Sequence, residues 1–165
     1  MADLTNLESK LAEVLGLAAA SKAATEKVKS MLDADEQDLE SVLERMGQEA
    51  AETEERCTEL AGTFDGKKTA ILEAGRETRQ EAEEMMKTYL ADEEEALDGF
   101  EFLTMAEAGE VGHWAIVRKL NERAQSESVQ ELVDWALPIQ EAHLSSVLEN
   151  SLVLAGREDP DEIVE

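Results

Sequence analysis

Little in this chain of 165 residues serves covalent or aromatic chemistry: it has one cysteine, two histidines, two prolines, two tryptophans and one tyrosine. Cys57 alone cannot form an intramolecular disulfide, which fits a reducing, cytoplasmic setting. Few prolines and nine glycines leave long stretches of good helix formers (Ala, Leu, Glu, Lys, Met) without interruption. Basic residues are also scarce: 15 against 40 acidic ones, a formal net charge of −25. A nucleic-acid partner is therefore not expected, because phosphates must be met by Lys and Arg. Anionic membrane surfaces are disfavoured for the same reason, and the charge reads as a solvated surface. The N-terminal "MADLTNLESK" has no apolar segment of the signal-peptide kind, and "VLGLAAA" is too short to span a bilayer. A glycine-rich phosphate loop, a zinc-type cysteine pattern and a Ser–His–acid constellation are all missing. Kinase, dehydrogenase and zinc-finger functions have no support.

What is there is helical periodicity. Leu4, Leu7, Leu11, Val14, Ala18, Ser21, Thr25, Val28 and Leu32 advance by three and four, one face of a first long helix, with Thr5 positioned to cap it. The acidic turn "DADEQD" follows, with Asp33 or Asp35 as the expected cap of a second helix reaching about residue 62. That helix carries the stripe Leu39, Val42, Leu43, Met46, Ala50, Thr53, Cys57 and Leu60. A shorter segment from Thr69 to Leu90 uses Ile71, Ala74, Met85, Met86 and Leu90, with both methionines expected as core fillers. Cys57 is expected to be a buried small apolar residue. A further long helix ends near Ala124, the turn "QSES" offers Ser126 or Ser128 as a cap, and a last helix runs from about residue 128 to Ala155, stopped by Gly156. The expected class is all-α: a bundle of four long antiparallel helices over residues 1–156, with an additional shorter helical segment between the second and third. Residues 157–165 read as a charged tail.

Polar residues interrupt the apolar faces at one level. Glu107 falls near the middle of the buried side defined by Phe100, Leu103, Val111, Trp114 and Val117, with Glu110 and His113 on its flank. In the last helix Gln140 sits at the centre of the face, His143 beside it, and Glu141 points away. Counting back from the turns at about 1.5 Å per residue brings His113 and His143 to within roughly one helical turn of the same level. The same count sets Ser21 opposite Glu49. A histidine on such a flank commonly does no more than form a hydrogen bond. Gln140 could bond to His143, or to backbone freed by Pro138, which is expected to kink the last helix.

Several stretches carry a resemblance: "ETEERCTELAGTF", "DGKKTAILEAGRETRQEAEEM", "FLTMAEAGEVGHWAIVRKLNERAQ" and "ESVQELVDWALPIQEAHLSSVLENSLVLAG". With the helix order, they make the chain similar to the ferritin-like superfamily, most like its bacterial stress-associated YciE/YciF-type family. The resemblance implies a ferritin-like bundle, often a homodimer, with an internal metal site, and carboxylate and imidazole ligands suit iron or manganese. In that pattern two helices each give a Glu and two give a Glu-x-x-His. Glu110 and His113 resemble third-helix ligands, Glu107 lies on the same face, and Glu49, with Glu52 one turn on, stands where the second helix contributes. Gln140 and His143 resemble a Glu-x-x-His whose acid has become an amide. Ser21 stands where the first helix would bring a carboxylate. Two functions follow as alternatives. One is a non-enzymatic, dimeric, stress-associated bundle with a degenerate metal site and no catalytic residue; the incomplete ligand set favours it. The other is a metal-binding protein with residual oxidase or peroxide chemistry.

Overall fold

The computed structural model describes residues 2–93 and 95–163, so the last two positions of the tail, Val164 and Glu165, lie outside the described residues. Among the described residues five helices account for the fold: α1 (Asn6–Lys29), α2 (Gln37–Ala61), α3 (Lys68–Tyr89), α4 (Ala96–Ala124) and α5 (Glu127–Ala155). The all-helical class expected from composition is what the chain forms. Among the described residues no helix is long and apolar enough to cross a membrane.

Local chemistry sets most helix ends. Thr5 caps α1: its Oγ1 accepts from the Glu8 amide at 3.2 Å, while Glu8 Oε2 accepts from the Thr5 amide at 2.7 Å. Ser126 caps α5 through the Val129 amide. Neither Asp33 nor Asp35 caps α2, contrary to expectation. The N-cap is Glu36, which makes no side-chain capping bond and instead accepts from the Asp33 amide. The acidic turn is longer than the two candidates suggested, so both lie outside the first helical turn. Arg157, just past α5, pairs with Glu36 at 2.8 Å and ties the start of the tail to this turn.

Four helices form a ring in the order α1, α2, α5, α4. Val28 beside Gly99 and Glu13 beside His113 show α1 antiparallel to α4. Leu39 and Leu43 share a cluster with Val147 and Leu154, whereas Cys57 and Leu60 share one with Val129 and Leu132, so α2 and α5 are also antiparallel. The hairpins make α1 and α5 run one way and α2 and α4 the other. Getting from α2 to α4 therefore requires a return along the bundle, and α3 supplies it. It lies parallel to α1 on the outside: Ile71 packs with Ala12, and Gly75 meets Gly16. At that crossing a Cβ on Gly16 would sit 2.2 Å from the Gly75 carbonyl oxygen, so two glycines are what lets the backbones touch.

The C-terminal end of α3 still reaches the core. Leu90 is buried and Met86 packs partly against the core, but Met85 is 69% exposed, so only one of the two methionines fills space. Pro138 lies inside α5, which is helical from Glu127 to Ala155.

Besides the small cluster of Ala12, Ala61 and Ile71 beneath α3, the interior holds two larger apolar clusters. One holds Leu11, Val14, Leu60, Trp114, Val117, Val129 and Val133. The other holds Val28, Leu43, Met46, Phe100, Leu103 and Val147. Between them lies a band of polar side chains.

A polar layer across the middle of the bundle

Every long helix contributes to the band, and the side chains reach it because they occupy core positions of amphipathic stripes. Ser21 and Thr25 continue the α1 stripe, Thr53 that of α2, Glu107 and Glu110 that of α4, and Gln140 and His143 that of α5; all seven are buried. Carboxylates in such a place are costly unless their oxygens find donors. Glu107, 0% exposed, finds them on two other helices. The Ser21 hydroxyl donates to its Oε1 at 3.1 Å, and the Gln140 amide donates to its Oε2 at 2.6 Å.

His143, 2% exposed, completes the connection. Its Nε2 lies 2.6 Å from Oε2 of Glu49, which enters from α2 and reaches the surface. Its Nδ1 lies 3.6 Å from Oε2 of Glu107, too long for a hydrogen bond. That nitrogen and Trp114 Nε1 are the buried side-chain atoms left without a partner among the described residues. Burial by itself lowers the basicity of the His143 ring, but the contact and charge of Glu107, followed by those of Glu49, more than reverse this. The imidazolium is thus favoured between two carboxylates.

Glu110 behaves differently. Burial pushes its carboxyl well above the usual carboxylate range, the charge of Glu107 pushes the same way, and the Ser21 hydroxyl opposes both weakly. The neutral acid is its favoured form. Cys57, close enough to feel Glu110, has its thiol pushed up to about 12 by burial, then by the charges of Glu110 and Glu54. It is an inert apolar residue, as expected.

Glu49, Glu107, Gln140 and His143 are therefore joined by direct contacts, with Glu110 beside Glu107. His113 stands apart. Its Nδ1 meets the Gly109 carbonyl oxygen at 2.8 Å, and its Nε2 faces Glu13 of α1 at 3.3 Å on the partly exposed rim. The level predicted for it was near; the direction differs, because His113 lies about 120° round α4 from Glu107. Glu52 is exposed and pairs with Arg56, and Glu141 is exposed as expected. Gln140 bonds to Glu107, neither to His143 nor to backbone near Pro138. The partnership of Ser21 with Glu107 was not foreseen, although the register count that set Ser21 opposite Glu49 already put it at this level.

The donor set does not fit two metal ions. Helix α1 brings a hydroxyl where a carboxylate would be needed, α5 an amide, and His113 faces away. Among the described residues no group of three or more His, Cys, Asp or Glu is arranged to hold a metal ion. What the arrangement can do is keep charge inside a bundle: an imidazolium between two carboxylates, a carboxylate held by neutral donors, and a neutral acid.

No family model, no curated protein and no solved structure matches the chain.

Proposed function

We propose that this chain is a non-enzymatic, dimeric, stress-associated cytoplasmic protein of ferritin-like architecture, whose internal metal site has degenerated into a layer satisfied by its own side chains. One observation carries the reading: both oxygens of the central carboxylate Glu107 accept from neutral groups, Ser21 and Gln140, at positions where the resemblance calls for further anionic ligands. Removing those two charges removes much of the attraction for divalent ions. Support for the architecture comes from the helix order, with one long return between the second and third bundle helices, a connection used by ferritin-like folds. The stress association rests on the sequence resemblance.

A second reading, a protein that binds iron or manganese with residual oxidase or peroxide chemistry, is favoured by the buried His143 Nδ1 without a hydrogen-bond partner. His143 Nδ1 and Glu107 would be its ligands, with Glu49 holding the ring from Nε2, and the ion would supply Lewis-acid or redox chemistry when bound.

Metal analysis separates the two. Protein purified after growth with added iron, manganese and zinc is expected to retain less than about 0.1 ion per chain. The double variant Ser21→Glu/Gln140→Glu, which restores the missing carboxylates, is expected to retain roughly one ion or more. Near-stoichiometric metal in the native chain would remove the first reading and leave the second.

A further inference from the structure

The outward ridge of α4, opposite its buried face, carries two glycines that no close approach within the chain requires. Residues 102–117 expose no acidic group there, in a sequence that is 33% charged. Met105 is 53% exposed and Ile116 is 44% exposed. Between them Gly109 and Gly112 sit in mid-helix, where glycine costs helix stability relative to alanine. A Cβ at either would meet nothing within 4 Å, so neither glycine serves a close contact within the chain. Gly16 and Gly75 show what such residues accomplish here when a helix does lie across them.

The pattern is also symmetric. Asp98, Met105, Gly109, Gly112, Ile116 and Arg123 follow one another at steps of 7, 4, 3, 4 and 7 residues. Their common midpoint falls between Glu110 and Val111. Steps alternating about 3.5 make one seam of a helix pair. A second α4 laid antiparallel about a twofold axis through that midpoint sets Met105 against Ile116 and Gly109 against Gly112. It also sets the acid of the first turn, Asp98, against the base of the last turn, Arg123. Each of these pairings occurs twice, as an isologous interface requires. Two chains that each carry −25 repel over most of their surface and can approach only where carboxylates are missing and the ends are complementary.

The geometry points to α4 as the self-association surface of this protein, with a second copy of the chain as its occupant, crossing at Gly109 and Gly112. This deepens the dimeric part of the proposed function by naming its face, and it is independent of the metal question.

Sedimentation of the full chain over a concentration series, with melting of each variant recorded at the lowest concentration, tests it. The native chain is expected to be a reversible dimer. Gly112→Glu, which fills the crossing with a charged side chain, should raise the dissociation constant at least 100-fold without lowering the melting temperature of the monomer. Asp98→Lys should weaken the dimer several-fold, and Asp98→Lys/Arg123→Asp should recover it, since the reversed pair is complementary again. A native chain that stays monomeric up to roughly 0.5 mM would overturn the proposal. So would a dimer unmoved by Gly112→Glu, or an Asp98→Lys defect that Arg123→Asp does not repair. Metal content read on the same samples reports only on the polar layer, so failure of one reading is distinguishable from failure of the other.

Discussion

The two histidines of this chain mark two regions of similar composition and different physics. Around His143 the acids come from different helices, Glu49 from α2 and Glu107 from α4, and the ring is buried between them. Around His113 the partners are the backbone of its own helix and Glu13 on the bundle rim. Both are a histidine beside carboxylates. In the first, water cannot replace a lost partner; in the second, it can. The difference teaches that a Glu-x-x-His spacing says little until it is known which flank of the helix faces a neighbour.

The largest expected break of this comparison is at Glu107. Glu107→Ala leaves Ser21 and Gln140 without their acceptor and takes one of two counter-charges from His143. Loss of a buried partner of this kind costs about 3–5 kcal/mol, to be read from urea unfolding. If the loss were under about 1 kcal/mol, the layer would not be a connected structural unit.

A smaller, pH-dependent effect belongs to Glu110. Its folded-state value is raised by burial and then by the charge of Glu107, so the folded protein binds that proton more tightly than the unfolded chain does. The resulting stability is complete below the unfolded carboxylate value and is lost as pH rises through the folded value. Glu110→Gln stays neutral throughout. The variant should therefore gain on the native protein as pH increases, with melting curves closest at acid pH and furthest apart at alkaline pH. A difference that is flat with pH would show that Glu110 does not hold its proton.

The smallest change is expected on the rim. His113→Ala removes a partly exposed contact and should alter stability by no more than about 0.5 kcal/mol. A loss comparable to that of Glu107→Ala would erase the contrast between the two regions.

Much of this architecture could be read from the residues. The stripe from Leu11 to Val28, the cap at Thr5 and the stops near Ser126 and Gly156 express helix periodicity and end chemistry, both local. The polar level was also legible, because antiparallel hairpins convert residue counts into heights. Direction was less so. His113 and Glu110 sit on the same flank of α4, and only the packing of α1 against that flank decides that one ring ends on the rim. Met85 was misjudged for a similar reason: of two adjacent methionines about 100° apart round α3, Met86 faces the core and Met85 faces away. The crossing at Gly16 and Gly75 left a fainter trace, a glycine inside each of two helical patterns, whose pairing depends on the tertiary path of α3.

The central claim is that His143 is held as an imidazolium by two protein carboxylates. Nuclear magnetic resonance of its ring during a pH titration, with and without a chelator and then with added zinc, tests this directly. The account predicts a midpoint above the ordinary 6.5, raised by Glu107 and Glu49 against the effect of burial and indifferent to chelator and zinc. The stability tied to it would be complete below 6.5 and lost as pH rises through the folded midpoint. A midpoint below 6.5, or ring signals that move in proportion to added zinc, would contradict it.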